Sequence, residues 1–320
     1  MDLRNSSQGA LSFLIAALLV GCGDSESGSG SKPPPVRSLL RGGAKAVDVP
    51  QAPAPFPELG PGQELDGGVM FHQVSHPVEG LPCRLWVYLP DPAGEDPVPC
   101  VLIAPSGTPL FHGIGLVDGD RDEHLPYAKA GMAVVAYELN GAVEDVATDR
   151  QLIDAAMRFK AADGGLKNGA FAIDYISEKI PQVDTNRLYS AGHSSAGTVS
   201  LLLAQYDARI SACIAFAPGL NVERHLGEDL IWAFSQSARD YRNFARRISP
   251  ALHVDRLTRP LFLFQAEDDD VVSLEEARAF AAEVGRLNSK ASFTLVKSGG
   301  HYNAMIEQGI PRAIRWLKEL

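Results

Sequence analysis

Short apolar runs alternate with longer amphipathic segments along the chain from residue 68 onward. Several of the short runs, such as PCVLIAP, MAVVAYEL and PLFLFQAE, are continuously apolar, which is typical of strands buried on both faces. The longer segments repeat their apolar residues every three or four positions, the period of a helix with one buried face. Strands that alternate with helices predict an α/β fold, in which helices flank a mostly parallel sheet.

This pattern assigns eight strands and the helices between them. The strand-like runs are GVMFHQVSHP, CRLWVYLP, PCVLIAP, MAVVAYEL, RLYSAG, ACIAFAP, PLFLFQAE and ASFTLVKSG. Helices are predicted over 122–130, from 143 to about 180, and over 195–206, 273–288 and 305–320. Ser273 and Glu276 have the spacing of a capping box at a helix start.

One segment, residues 219–257, is longer than a connection between two strands requires. Part of it has helical periodicity, so we expect a helical lid insertion over one end of the sheet. Its aromatic residues are candidates to line an apolar pocket: Trp232, Phe234, Tyr241 and Phe244. Its arginines could bind a substrate carboxylate, but a solvated basic face is the favoured interpretation: Arg239, Arg242, Arg246 and Arg247.

The N-terminal part of the chain has the features of an export signal. An apolar run over residues 10–20 is too short to cross a bilayer and is typical of a signal peptide. It ends in LVGC, which resembles the lipobox of bacterial lipoproteins, so we expect cleavage after residue 21 and lipid attachment at Cys22. A plain secretory signal is the alternative. Residues 22–67 are rich in Gly, Ser and Pro and predict a flexible tether, which leaves 68–320 as the folded domain at the cell envelope.

Composition excludes some partners and cofactors. The net charge of −10 disfavours nucleic acid, whose phosphates are bound by Lys and Arg. The body cysteines Cys83, Cys100 and Cys213 lie in apolar runs, so we expect buried free thiols rather than a disulfide. The histidines show no metal-ligand spacing with cysteines or acidic residues, and we expect no metal and no other cofactor.

Two adjacent serines in AGHSSAG lie between a predicted strand and a predicted helix. This is the setting of a nucleophile elbow, a sharp turn that requires small residues two positions before and after the nucleophile. Those positions around Ser194 hold Gly192 and Ala196, whereas the position two before Ser195 holds the bulky His193. Ser194 is therefore the candidate nucleophile.

A candidate base and a group of candidate acids follow in the chain. The strand PLFLFQAE runs into Asp268, Asp269 and Asp270, and the strand ASFTLVKSG runs into His301. A serine needs a base that a third group holds in place, and serine, acid and histidine in this order match one known triad arrangement. The sequence thus predicts a serine nucleophile with a complete triad.

With AGHSSAG, RPLFLFQAEDDDVV and SGGHY, the chain resembles α/β-hydrolases of the prolyl-oligopeptidase or dienelactone-hydrolase-like branch from about Phe71 to Leu320. In these families a Gly-x-x-Asp-x-x-Val pattern contains the acid. Asp269 falls on the Asp position, although Ala266 replaces the Gly, and Asp268 stays as an alternative. The resemblance implies that His301 removes the Ser194 proton and that Asp269 orients His301.

The resemblance also implies an oxyanion hole, but the usual His-Gly-Gly segment is missing. The strand PCVLIAP instead leads into SGTP, so we expect the backbone N–H groups of Ser195 and Gly107 as donors, with Ser106 as the alternative to Gly107. The expected function is a serine hydrolase that cleaves small ester or amide substrates, most consistent with a carboxylesterase. A small-substrate peptidase and a non-catalytic tethered binding protein are the alternatives.

Overall fold

A computed structural model describes residues 55–91, 94, 96–143 and 147–320 of the chain. The predicted signal peptide, Cys22 and most of the predicted tether lie outside these residues. Within the described ranges, no helix is both long enough and apolar enough to cross a membrane.

One nine-stranded sheet forms the centre of the fold. Its strands are β1 (Gln63–Leu65), β2 (Val69–Val78), β3 (Leu81–Pro90), β4 (Val98–Ile103), β5 (Ala133–Tyr137), β6 (Val183–His193), β7 (Ile210–Phe216), β8 (Leu261–Ala266) and β9 (Ala291–Val296). Their spatial order is β1-β2-β3-β5-β4-β6-β7-β8-β9. The first three strands and β5 pair antiparallel, and the pairs from β5 through β9 are parallel. The carboxyl ends of β4, β6, β8 and β9 therefore meet at the same edge.

Helices flank this sheet. They are α1 (Arg121–Lys129), α2 (Asp149–Ala161), α3 (Leu166–Lys179), α4 (Ser194–Tyr206), α5 (Val222–Ser235), α6 (Tyr241–Arg247), α7 (Leu274–Leu287) and, after the π-helical turn Met305–Gly309, α8 (Ile310–Leu317). Two separate apolar clusters, one containing Leu102 and Val199 and the other containing Ile103 and Met305, show that both faces of the sheet are covered. Buried strands such as β5 and β8 have no exposed residue, as their continuous apolar runs predict.

The structure differs from the predicted elements in two places. The sheet has one strand more than the eight predicted, because β1 is a short polar strand that lies inside the predicted tether. Its three residues carry no hydrophobic pattern. The long predicted helix from 143 to about 180 is two helices, because Asp163, Gly164 and Gly165 take positive φ values of 55°, 68° and 92° and end the first helix.

Residues 219–257 form α5 and α6, and their aromatic side chains pack differently from the expectation. Phe234, Tyr241 and Phe244 are buried in the main apolar cluster, and Trp232 is 63% exposed. The expected apolar lining by these aromatic residues is wrong, because Phe234, Tyr241 and Phe244 pack into the interior and Trp232 faces solvent. The prediction of buried free thiols at Cys83, Cys100 and Cys213 is confirmed.

Candidate active site

Ser194 occupies a sharp turn between β6 and α4. Its φ of 54° is a left-handed conformation that non-glycine residues rarely adopt, and it stores strain at the turn. A side chain at Gly192 would place its Cβ 2.3 Å from the carbonyl oxygen of Ala196, so only glycine fits there. The Ser194 hydroxyl makes no hydrogen bond with another described residue, and Ser194 is itself the first residue of α4. The structure therefore forms the predicted elbow and leaves its hydroxyl free.

Asp269 and His301 are hydrogen-bonded at the same edge of the sheet. His301 Nδ1 lies 2.9 Å from Asp269 Oδ2, and the Asp269 side chain has no exposed surface. The backbone N–H groups of Val271 and Val272 donate to Asp269 Oδ1 at 2.9 and 3.0 Å. Burial acts to raise the pKa of Asp269, but the hydrogen bonds from His301 and from both amides outweigh it and hold the pKa below its ordinary value. Asp269 is thus an ionised acceptor for the imidazole.

Asp268, which the sequence left open as the alternative acid of the triad, binds the loop before His301. Its carboxylate accepts hydrogen bonds from the N–H groups of Gly299 and Gly300, at 3.1 and 2.9 Å. Gly299 has a φ of 126° and Gly300 a φ of 63°, conformations that glycine adopts without strain. Asp268 therefore holds the loop that carries His301, whereas Asp269 contacts the imidazole itself.

His193 contacts the same histidine from the elbow side. Its Nε2 donates to the backbone carbonyl of His301 at 3.0 Å, and the two imidazole rings lie 4.4 Å apart between centroids. Burial, and then the neighbouring His301, lower the pKa of His193 to about 4. A neutral His193 with its proton on Nε2 can donate this hydrogen bond without placing a positive charge beside the His301 ring.

The loop after β4 lies against the elbow. The Thr108 N–H donates to the Ser195 hydroxyl at 3.1 Å, and both residues are buried. Gly107 has a φ of 92°, and neither its N–H nor that of Ser106 donates to another described residue. The Ser106 hydroxyl donates to Glu123 of α1 at 3.4 Å. The loop that contains Ser106 and Gly107 is thus joined to the elbow through Thr108, whose own N–H is already occupied.

A cavity of about 310 Å³ opens beside Ser194 and Ser195. Its other lining residues come from the loop after β4, the start of α5 and the start of α7: Thr108, Leu110, Gly219, Leu220, Asn221, Arg224, His225, Val271, Val272, Ser273 and Glu276. Arg224 of α5 pairs with Glu276 of α7 at 2.8 Å, so the cavity wall contains an ion pair as well as the apolar Leu110 and Leu220. Among the described residues, no cluster of three or more His, Cys, Asp or Glu residues could hold a metal ion.

Other arginines of the 219–257 segment do not reach this cavity. Arg242 pairs with Glu223 and Glu228 at 3.0 and 2.6 Å, and Arg247 pairs with Asp163. The side chains of Arg242, Arg247 and Glu228 are substantially exposed, whereas those of Glu223 and Asp163 are less so. The exposure of the two arginines fits the interpretation of a solvated basic face.

Thr108, Glu123 and Arg224 are site residues that the sequence did not single out. Thr108 contributes a backbone amide, which carries no signal in the side-chain pattern. Glu123 follows the acidic Asp122 in the sequence, and nothing in that pattern shows that Glu123 is buried and Asp122 exposed. Arg224 has no sequence feature that distinguishes it from the neighbouring surface arginines.

Comparisons with known proteins agree with this geometry. The model of the prolyl oligopeptidase family matches residues 118–320. The acetyl esterase Axe7A of Xylanibacter ruminicola is 25% identical over 175 residues, which cover 45% of this chain and 38% of that protein. The chain thus spans well under half the length of this relative.

Solved structures of esterases and peptidases share the fold. Acetyl xylan esterase 1 from Thermoanaerobacterium sp. superimposes with a TM-score of 0.59 at 16% identity, over 82% of this chain and 87% of its own. The acylaminoacyl peptidase of Pyrococcus horikoshii superimposes with a TM-score of 0.60 at 16% identity, over 79% of this chain and 40% of its own. At these identities the likeness establishes the α/β-hydrolase fold.

Proposed function

Because the chain belongs to the prolyl oligopeptidase family, we propose that it is a serine hydrolase of small esters, with Ser194 as nucleophile, His301 as base and Asp269 as the acid that orients His301. One observation carries this proposal: the hydrogen-bonded Asp269–His301 pair lies beside an elbow whose serine hydroxyl is free and borders a cavity. In free hydrolases the bond from serine to histidine is often long and tightens when substrate binds.

The proposed reaction uses these groups in sequence. Asp269 accepts the Nδ1–H of His301, which selects the tautomer of the neutral imidazole whose Nε2 lone pair can accept the Ser194 proton as the hydroxyl oxygen attacks the ester carbonyl. The N–H groups of Ser195 and Gly107 stabilise the negative charge on the carbonyl oxygen. His301 then protonates the departing alcohol. Water, deprotonated by His301, attacks the acyl group on Ser194. The bond between the acyl carbon and the Ser194 oxygen then breaks, His301 returns its proton to that oxygen, and the acid is released.

The cavity supports small substrates. A volume of about 310 Å³ is at the low end for small-molecule sites, and Leu110 and Leu220 offer an apolar surface for a short acyl group. Asn221, Arg224 and His225 supply polar groups for the remainder of the substrate. The similarity to an acetyl esterase supports the same choice.

A peptidase acting on small substrates is the second candidate, favoured by the family match and by the likeness to an acylaminoacyl peptidase. The two are separated by assaying the purified chain with p-nitrophenyl esters of increasing acyl length and with acylated peptide anilides. We expect hydrolysis of acetyl and butyryl esters to exceed that of every anilide by at least ~100-fold. Anilide hydrolysis at a comparable rate would favour the peptidase.

The nucleophile is tested independently of the substrate. A fluorophosphonate probe followed by peptide mass spectrometry should label Ser194, and Ser194→Ala should abolish the label, with Ser195→Ala still labelled. A folded protein that takes up no label would contradict the hydrolase and favour the tethered binding protein.

We also infer an exported protein that is lipid-anchored to the bacterial cell envelope through Cys22. The apolar run over residues 10–20 and the LVGC segment that ends it support this inference. Expression in a bacterial host with an alkyne-tagged fatty acid should label the wild-type chain, whereas Cys22→Ser should carry no lipid. Labelling that persists in Cys22→Ser, or none in the wild type, would refute the anchor.

A further inference from the structure

A single side-chain hydrogen bond joins the elbow to the loop after β4. The Ser195 hydroxyl accepts the Thr108 N–H at 3.1 Å, and Ser195 and Thr108 are only 4% and 7% exposed. Among the described residues, this is the one hydrogen bond between residues 104–110 and residues 192–197. The other side-chain bonds of the loop run to α1 or stay within the loop itself.

The two ends of this bond lie next to the two proposed oxyanion donors. Ser195 supplies one donor with its own N–H, and Thr108 directly follows Gly107, which supplies the other. We propose that Ser195 is a positioning residue, an inference that rests on the proposed function. Its hydroxyl fixes the distance between the two halves of the oxyanion hole. The side chain thereby acts through the Thr108 backbone.

The bond also decides which amides are free to act. Because the Thr108 N–H is bound to Ser195, it is not available to an oxyanion. The N–H groups of Ser106 and Gly107 have no partner among the described residues. The φ of 92° at Gly107 turns the chain between these amides and the bound one, a conformation that glycine adopts readily and larger residues rarely adopt.

Removing the hydroxyl should misplace the loop without disturbing the catalytic side chains. Ser195→Ala leaves the buried Thr108 N–H without an acceptor, and such a group tends to move until it finds one. Displacements of about 1 Å in a catalytic site cost up to ~100-fold in rate. The oxyanion hole acts on the transition state and little on the ground state, so the loss should fall on kcat. We expect kcat to drop ~10- to 100-fold while KM changes by less than ~3-fold.

Two matched variants separate positioning from simple stability. Ser200→Ala removes another buried serine hydroxyl of α4, which bonds the Ile214 carbonyl at 2.9 Å and Ser190 at 3.1 Å, away from the loop. It should lower the unfolding temperature and leave kcat unchanged. Ser195→Thr keeps a hydroxyl at the same position and should recover most of the lost kcat.

The decisive measurement is inhibition by an alkylboronic acid, which forms a tetrahedral anion on a serine hydroxyl. Its inhibition constant should rise in Ser195→Ala by about the factor that kcat/KM falls, because both depend on the oxyanion hole. Unchanged kcat and boronate affinity in Ser195→Ala would overturn the proposal, as would a loss confined to KM or an equal loss in Ser200→Ala. A wild-type chain that neither hydrolyses esters nor takes up fluorophosphonate at Ser194 would overturn the proposed function itself.

Discussion

Glu123 offers a quantitative test of how the structure sets pH-dependent stability. The residue is buried in α1, where its Oε1 accepts the Ser106 hydroxyl at 3.4 Å. Burial, and then the nearby Asp120, raise the pKa of Glu123 to about 7 from its ordinary 4.5. The folded protein therefore favours the neutral acid. Glu123→Gln keeps the shape and the hydrogen-bond acceptor but cannot ionise.

The sign follows from the raised pKa. Below pH 4.5 the carboxyl is protonated in the folded and unfolded states, and ionisation costs nothing. As the pH rises through 4.5 the unfolded chain ionises first, so the folded state loses stability until its own carboxyl ionises near pH 7. One pKa unit is worth ~1.4 kcal/mol, so the wild type should lose roughly 2 to 3 kcal/mol relative to Glu123→Gln between pH 5 and pH 8.

Urea unfolding of both proteins at pH 5 and pH 8 measures this quantity. The difference in unfolding free energy between Glu123→Gln and wild type should grow by that amount from pH 5 to pH 8. Other groups that titrate in this range, such as His193, occur in both proteins and cancel in the comparison. A Glu123→Gln difference that is the same at both pH values would refute the reasoning.

Three further outcomes test the site and its scaffold. Asp269→Asn should reduce kcat by ~1,000-fold or more because it disturbs the position of the proton on His301, whereas Asp268→Asn should reduce kcat by ~10-fold because it weakens only bonds to loop amides. Steady-state ester kinetics measure both losses, and equal losses would contradict the assignment of Asp269. Gly192→Val should prevent folding, as judged by soluble yield and circular dichroism, because its Cβ would lie 2.3 Å from a carbonyl oxygen; a folded, active variant would contradict the elbow geometry. Burial raises the pKa of Cys83 to about 12 and that of Cys100 further, so neither thiol should react with a thiol reagent at pH 8 until the protein is unfolded.

The sequence predicted what depends on local pattern. The buried strands β5 and β8 are continuous apolar runs, and the start of α7 carries its capping serine, Ser273. Ser194 and His301 could be predicted because each follows a strand at a parallel-sheet edge and has glycine or another small residue beside it. These features are encoded within about ten residues of the chain.

Features that depend on distant contacts could not be predicted. Ser195 and Thr108 are 87 positions apart in the sequence, and no periodicity links a serine hydroxyl to a backbone amide at that separation. Tertiary packing also determines the position of the Phe234 side chain. Its ring lies 5.2 Å from that of Phe111, so it faces the interior rather than the cavity. The hydrophobic pattern of an amphipathic helix does not show whether an aromatic residue on it packs in the interior or lines a cavity.

The loops of the site share one construction principle. The strand ends bring three catalytic candidates and the oxyanion loop to one edge of the sheet, but strand geometry alone does not fix loops to within the distances that catalysis requires. Here the side chains adjacent in sequence to the candidates supply that precision. On either side of Ser194, His193 binds the His301 carbonyl and Ser195 binds the Thr108 amide. Next to Asp269, Asp268 binds the loop before His301. Each candidate segment therefore holds a second segment in place. Substitutions at His193, Ser195 and Asp268 should for this reason change kcat while leaving the labelled serine unchanged.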